Sequence, residues 1–240
     1  MRFESLKKDR EAMTVRDAIE GRVAVRRFVP GRVPREVVRD ILRTASHAPS
    51  GANIQPWKVY VVTGSAKAAL SARIQLAYAQ QADEHAEEYQ YYPDASLEPY
   101  ASRKKQFGKL FYGALGILQD DDAGRARQTA RNFEFFDAAV GMIFTIDRRL
   151  GQGSWLDYGM FLQNIMLAAR AWGLETCPQV SIARFHKVLR ECLAIPDGEL
   201  VVCGMSLGYA DAAAPELSVR QPRLAVDAFA SFEGFDPEPA

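Results

Sequence analysis

The stretch APSGANIQPW, residues 48–57, joins two segments with different hydrophobic patterns. Before it, apolar residues recur at helical spacing, and after it a β-branched and aromatic run covers residues 59–62. Pro49 predicts the end of the helix, and Pro56 predicts an extended conformation for Gln55. The pattern indicates a short rigid loop between a helix and a buried strand. Its small polar residues and exposed N–H groups could bind a planar polar ligand, although an ordinary helix-to-strand connection has the same composition.

Charge and cysteine content limit the partners and the compartment. The 240 residues contain 30 Lys and Arg and 30 Asp and Glu, so the formal net charge is zero. Such a chain has no global field that attracts nucleic acid or an anionic membrane, and an anionic ligand must be held by a few local arginines. Three cysteines without a close pair favour a reducing compartment. The charged start MRFESLKKDREAM lacks a signal-peptide pattern, so we expect a cytoplasmic protein.

A basic segment precedes the loop. In the sequence RVAVRRF, residues 22–28, polar or small residues alternate with valine. If the segment is extended, this alternation places Arg22 and Arg26 on one side of the chain. Two guanidinium groups in that arrangement suit a phosphate, because each offers a planar fork of donors. A solvated basic edge would show the same pattern.

Hydrophobic periodicity predicts the remaining elements. Helices are expected over residues 14–21, 34–45, 65–88, 121–136, 154–172 and 183–193, and strands over residues 59–62, 138–146 and 200–206, with a brief extended turn at 176–181. The helix 154–172 is the most apolar, which predicts burial on all sides, in the core or at a subunit interface. Beyond Tyr209 the chain is a Pro- and Ala-rich arm. One α/β-layered domain, spanning residues 1–240, is the simplest account.

One segment does not fit this pattern of predicted helices and strands. Residues 89–118, called the aromatic segment below, contain five tyrosines and two phenylalanines, and Pro93 and Pro99 interrupt them. Long irregular aromatic segments inside compact domains often cover binding sites. A well-packed loop is the alternative, so the sequence leaves open whether this segment is a lid.

Three apparent motifs carry no chemistry. The G-x-S-x-G pattern at residues 204–208 follows a strand, but no helix pattern and no histidine come after it, as a hydrolase triad requires. The GQG at residues 151–153 lacks the third glycine of a dinucleotide fingerprint. The acidic run at residues 83–88 and the cysteines show no metal-ligand spacing. No catalytic side chain and no metal ligand are predicted, so the chemistry belongs to a bound cofactor.

Four separated motifs together resemble those of FMN-dependent nitroreductases. They are the segment 22–28, the loop 48–57, the helix 157–173 with its GLETCP turn, and the strand ending at Leu207-Gly208-Tyr209 before an arm with Arg223. The resemblance covers about residues 14–230, except the aromatic segment. It implies an α+β fold with a mixed sheet flanked by helices in three layers. It also implies an intertwined homodimer whose C-terminal arm reaches across to the partner.

The resemblance assigns the cofactor-binding residues as well. Arg22, Arg26 and Arg223 would hold the FMN phosphate, next to Val23 and Ala24, which stand where the family often has Arg-Ser. The loop of the partner chain would contact the ribityl chain and the ring through Pro49, Ser50, Gly51 and Asn53. The turn formed by Pro178, Gln179, Val180 and Ser181 would lie along the flavin edge, with its backbone N–H groups near N5 and O4.

The activity implied by the resemblance is an oxidoreductase reaction. Hydride would pass from NADH or NADPH through FMN to a small nitroaromatic or quinone-like acceptor, with ping-pong kinetics. The same motifs would also fit another flavin reaction, such as dehalogenation, enone reduction or flavin breakdown, or a non-catalytic flavin-binding protein.

Overall fold

The computed structural model describes residues 13–93 and 95–235, and residues 1–12, Asp94 and 236–240 lie outside the description, with most of the charged N-terminal stretch. The α-helices are α1 (Val15–Gly21), α2 (Arg35–Ala45), α3 (Gly64–Gln80), α4 (Tyr100–Ala114), α5 (Asp122–Ala130), α6 (Gln152–Ala171) and α7 (His186–Leu193). The strands are β1 (Phe28–Val29), β2 (Lys58–Thr63), β3 (Val140–Asp147), β4 (Glu175–Gln179) and β5 (Glu199–Ala210).

The long strand β5 organises the sheet. β3 pairs with it along most of its length, β4 pairs with residues 204–208, and β1 pairs with its end, while β2 extends the sheet beyond β3. All of these ladders are antiparallel, and a parallel bridge joins Ala24 to Thr176. The sheet predicted as mixed is therefore antiparallel in its ladders. The parallel contribution comes from the basic segment, which runs beside β4 as a single bridge.

Two apolar layers cover the sheet. Side chains of β3 alternate between them: Met142 and Phe144 pack with α2 and α6, whereas Ile143 packs with α3 on the opposite face. Because both faces are covered, β3 reads as a continuous hydrophobic run, as predicted for residues 138–146. The fold is thus the predicted α+β arrangement with three layers, and β5 crosses its centre.

The bounds of α3 differ from the prediction. Thr63 is extended and Gly64 has φ of +55°, so the left-handed glycine makes the turn from β2 into the helix. Ser65, where the helix was predicted to begin, lies inside the first turn. The helix ends at Gln80 instead of Glu88, and residues 82–84 form a separate 3₁₀ turn. β2 itself was predicted to be buried, but only Val62 is, because this strand is at the edge of the sheet.

The predicted helix 121–136 is two elements. Asp121 caps α5 by accepting a hydrogen bond from the Gly124 N–H at 2.7 Å, as an N-cap aspartate does. After Ala130 the chain becomes a 3₁₀ segment in which Phe135 and Phe136 have positive φ. This uncommon backbone lets both rings, with that of Phe133, enter the core, where all three are almost fully buried. Apolar burial offsets the backbone strain here.

The apolar helix α6 is only partly covered within one chain. Tyr158, Phe161, Ile165 and Ala169 are buried at helical spacing, whereas Leu156 on another face is 71 % exposed. The prediction of burial on all sides is wrong for the single chain. A subunit interface, the alternative given by the sequence, remains able to cover the open face.

Candidate functional site

A cavity of about 820 Å³ lies between the basic segment, the aromatic segment, α6, and the turn after β4. This volume falls in the usual range for a cofactor or substrate site. Of the predicted site residues, the cavity is lined by Ala24, Arg26, Pro178, Gln179, Val180 and Ser181. Its other walls are formed by aromatic residues, among them Tyr89, Tyr91, Tyr92, Tyr100, Phe107, Phe111, Tyr112, Trp155 and Tyr158.

Arg26 is held against the aromatic wall. Its guanidinium carbon lies 4.7 Å from the ring centre of Phe111 and 5.5 Å from that of Phe107, which are cation–π distances. One of its nitrogens donates to the carbonyl oxygen of Ala24 at 3.4 Å. These contacts fix a positive charge at the cavity wall. The sequence predicted the arginine here, but not its aromatic support.

Arg22 and Arg223 form a second basic group, which does not line the cavity. Burial lowers the pKa of Arg22, and the positive charge of Arg223 lowers it further. The nearby carboxylate is Glu175, which lies 3.9 Å from Arg170, and burial raises the pKa of this glutamate. Two nitrogens of Arg170 are buried without a hydrogen-bond partner among the described residues. Like charges held together in this way favour binding of an anion.

The turn after β4 is built to present backbone donors. Gln179, only 2 % exposed, donates to the Asn132 carbonyl at 2.6 Å and accepts from the Ser206 hydroxyl at 2.6 Å. The amide nitrogen and the amide oxygen of its side chain are therefore both used to hold the turn in place. Val180 and Ser181 begin a 3₁₀ helix, so their N–H groups have no partner within that helix. The Ser181 hydroxyl oxygen is also buried without a hydrogen-bond partner within the structure as described.

The loop at residues 48–57 lies apart from this cavity in the single chain. The Gly51 N–H donates to the Asp157 carboxylate on α6 at 3.1 Å, and the Gln55 N–H donates to the Ser50 hydroxyl at 3.0 Å. Ala52, Asn53 and Gln55 all have φ between 49° and 57°. The extended conformation predicted for Gln55 is therefore wrong, because the bond to Ser50 closes a tight left-handed turn. The result is a strained, exposed loop fixed on α6, and such strain often accompanies function.

The aromatic segment contains a helix that the sequence analysis missed. α4 occupies residues 100–114, so the prediction of an irregular segment is wrong for this half. Tyr100, Lys104, Phe107 and Phe111 line the cavity at spacings of four, three and four residues, as one face of a helix does. At the start of the segment, Tyr89 donates its hydroxyl to the Val202 carbonyl and packs 4.7 Å from Trp155.

Helix α6 supplies cavity residues that were not predicted, namely Trp155, Tyr158, Gly159 and Leu162. The Tyr158 hydroxyl lies 2.9 Å from the Lys58 carbonyl and 3.0 Å from the Thr145 carbonyl, which fixes the helix on the sheet.

Two cysteines of the cavity lining, Cys177 and Cys203, were also not predicted as site residues, and burial raises their pKa values to about 11 and about 12. Both thiols stay protonated at neutral pH, so neither is a nucleophile.

Other chemistry finds no support in residues 13–93 and 95–235. Ser206 of the G-x-S-x-G pattern is fully buried within β5, with no exposed elbow. No group of His, Cys, Asp or Glu there is arranged to hold a metal ion. In the same part of the chain, no helix combines the length and hydropathy that crossing a membrane requires.

Comparisons with known proteins agree with this geometry. The model of the Nitroreductase family matches residues 19–209. A 4-nitrobenzoate reductase of Pseudomonas putida is 47 % identical over 91 % of this chain and 95 % of its own length. A nitrobenzene nitroreductase of Ectopseudomonas oleovorans is 44 % identical over 90 % and 95 %.

A solved structure extends this agreement to the whole fold. The FMN- and NADPH-dependent nitroreductase NfnB of Sphigopyxis sp. strain HMH superimposes with a TM-score of 0.90 at 33 % identity, over 93 % of this chain and 100 % of that one. The residues that the family model matches include the basic segment, the turn after β4, and the sheet up to Tyr209 near the end of β5. This chain belongs to the nitroreductase family.

Proposed function

We propose that this protein uses FMN to pass electrons from NADH or NADPH to nitroaromatic and quinone-like acceptors. The observation that carries the proposal is one cavity in which Arg26, Ala24 and the turn at residues 178–181 meet an aromatic wall. The relatives support it, since they are named for the reduction of 4-nitrobenzoate and nitrobenzene, and the NfnB structure is described as FMN- and NADPH-dependent.

The basic groups fit the FMN phosphate. Arg223 stands close enough to Arg22 for its positive charge to help lower the pKa of Arg22, after burial, and Arg26 adds a third guanidinium at the cavity wall. Guanidinium groups bind phosphate through paired, charge-assisted hydrogen bonds. Val23 and Ala24 add no side-chain donor there. We therefore assign the phosphate to Arg22, Arg26 and Arg223.

The turn after β4 fits the polar edge of the flavin. Val180 and Ser181 offer backbone N–H groups at the start of a 3₁₀ helix, and the Ser181 hydroxyl is a further polar group in the cavity wall. Donors held in this way would favour negative charge that develops on a bound flavin. Pro178 and Gln179 shape the turn, and Gln179 does so through its two side-chain hydrogen bonds.

A homodimer would complete the site. The loop residues Pro49, Ser50, Gly51 and Asn53 lie outside the cavity of their own chain, so we assign them to the FMN of the partner. The open face of α6 and the exposed apolar residues of the arm, including Leu224, Phe229 and Phe232, would be covered in an intertwined dimer.

The free thiols of Cys177, Cys192 and Cys203 favour a reducing compartment, and we place the enzyme in the cytoplasm.

When bound, FMN supplies the redox chemistry, accepting a hydride from the nicotinamide and delivering electrons to the acceptor. The chain would orient both reactants, because planar rings can pack against the largely aromatic walls of the cavity. Use of the same cavity by donor and acceptor gives ping-pong kinetics. We name no general acid or base among the described cavity residues and assign the protons of the reaction to solvent.

The test is steady-state turnover of the FMN-loaded protein. Oxidation of NADH or NADPH should depend on a nitroaromatic, and product analysis should show reduction of the nitro group. Reciprocal plots at several acceptor concentrations should give parallel lines. Tight FMN binding without turnover by either nucleotide would contradict the oxidoreductase proposal and favour a flavin-binding protein.

A further inference from the structure

Lys104 is a charged residue among aromatic residues on the side of α4 that lines the cavity. The other residues of this helix that line the cavity are uncharged, namely Tyr100, Ala101, Phe107, Phe111 and Tyr112. Its ammonium nitrogen lies 4.4 Å from the ring centre of Tyr92, which also lines the cavity. The other lysines of the helix, Lys105 and Lys109, do not line the cavity. One positive charge is therefore set into an aromatic wall.

None of the described residues that line the cavity carries a negative charge to balance Lys104. Among its described lining residues there are two cations, Arg26 and Lys104, and no aspartate or glutamate. Arg26 rests on two phenylalanine rings and hydrogen-bonds to Ala24, and the FMN phosphate accounts for its charge. Within residues 13–93 and 95–235, no carboxylate forms an ion pair with Lys104. The second cation is thus available to a ligand.

We propose that Lys104 binds a carboxylate carried by the aromatic acceptor, so that the enzyme prefers nitroaromatic acids to neutral nitroarenes. This inference rests on the proposed function, since it concerns the acceptor of that same cavity. The aromatic walls bind any planar ring, and ring contact alone discriminates weakly between acceptors of similar shape. A charged contact discriminates more strongly, because a neutral acceptor leaves the ammonium group without its partner.

The position of Lys104 suits this role. A lysine carries a compact charge on a flexible four-carbon stem, which can follow a substituent at the mouth of the cavity. Lys104 is exposed and its ammonium group packs on the Tyr92 ring, so it can reach a carboxylate without first losing its hydration. The structure thus separates two tasks: the turn at residues 178–181 and the rings position the reacting part, and Lys104 selects the distal substituent.

The experiment compares 4-nitrobenzoate with 4-nitrobenzamide, a neutral acceptor of nearly the same shape. The variants are Lys104→Met, which keeps the length without the charge, and Lys104→Arg, which keeps the charge. Lys105→Met is the matched control on the same helix. For Lys104→Met we expect kcat/KM for 4-nitrobenzoate to fall about tenfold, mainly through KM, with little change for 4-nitrobenzamide. Lys104→Arg should restore most of the loss, and Lys105→Met should resemble the wild type.

A binding measurement separates this inference from the proposed function. Benzoate cannot be reduced, so its affinity for the oxidised FMN-loaded protein reports the contact without turnover, and it should weaken in Lys104→Met but not in Lys105→Met. Equal losses for both acceptors, or unchanged benzoate binding, would overturn the inference and leave the reductase proposal intact. A rise confined to the KM for NADPH would also overturn it, since Lys104 would then bind a phosphate of the nucleotide. Failure of every variant and the wild type to reduce any nitroarene would instead reject the proposed function.

Discussion

The substitution Glu88→Gln tests how the aromatic segment is attached to the sheet. The Glu88 side chain is 10 % exposed and accepts hydrogen bonds from Arg148, from Arg190 at 3.3 Å, and from the Val201 N–H at 3.3 Å. The next residue, Tyr89, donates to the neighbouring carbonyl of Val202. Together these two residues fasten the start of the aromatic segment to β5.

The expected loss of stability depends on how well Arg148 and Arg190 are solvated or hydrogen-bonded once the negative charge of Glu88 is removed. Removing one member of a buried ion pair costs about 3–5 kcal/mol. Here Arg148 is 39 % exposed and can be solvated, and Arg190 keeps its bond to the Pro196 carbonyl at 2.7 Å. We therefore expect Glu88→Gln to lower the free energy of unfolding by about 2–3 kcal/mol. For a chain of this size that corresponds to a fall in Tm of roughly 4–12 °C.

The pH dependence of the effect has a defined sign. Burial raises the pKa of Glu88, but the Arg148 and Val201 hydrogen bonds and the charge of His186 outweigh burial, so its pKa lies below the ordinary value of 4.5. The contact therefore stabilises the fold above that value and is lost as the pH falls through the lowered pKa. The difference between the wild type and Glu88→Gln should shrink in acid.

The assay is thermal unfolding of the FMN-loaded protein, with Glu87→Gln as the control at an exposed neighbouring carboxylate. KM values for acceptors should also rise in Glu88→Gln, because the wall of the cavity is less firmly held. A Tm for Glu88→Gln equal to that of Glu87→Gln would show that Glu88 does not hold this segment to β5. So would a stability difference that does not depend on pH.

Three further changes test other parts of the account. Arg22→Gln should weaken FMN binding about tenfold by removing a phosphate contact, which fluorescence titration measures. It should leave the Tm of the apoprotein unchanged or higher in a thermal melt, because repulsion from Arg223 is relieved. Burial lowers the pKa of His186, so the wild type loses stability as the pH falls through 6.5, and urea titrations should show that His186→Gln flattens this slope. Phe107→Ala should shift acceptor KM values, whereas Leu118→Ala, exposed outside the cavity, should not.

Regular elements could be predicted from the sequence wherever one hydrophobic period ran uninterrupted. The apolar spacing of α2 and the continuous run of β3 gave elements that the structure confirms. The failures have local causes. Pro93 and Pro99 concealed the helix that starts at Tyr100, because they suggested irregular structure ahead of it. The positive φ at Phe135 and Phe136 depends on tertiary burial, which local propensity does not contain.

The parts of the candidate site that are formed by contiguous residues could be predicted from the sequence. The basic segment and the turn after β4 are short contiguous motifs, and the structure brings Ala24, Arg26 and residues 178–181 to one cavity. Gln179 was named as a flavin contact, but only the structure shows that its side chain is used within the fold. The contribution of α6 depends on packing between distant segments. The assignment of the loop at residues 49–53 to the partner remains a prediction.

The most direct test of the central claim is the visible spectrum of the FMN-loaded protein under anaerobic conditions. We expect NADH or NADPH to bleach the yellow flavin absorbance and 4-nitrobenzoate then to restore it, in two separate steps. A protein that takes up FMN but is not bleached by either nucleotide would contradict the proposed reaction. A protein that takes up no FMN would contradict the assignment of Arg22, Arg26 and Arg223 as its phosphate site.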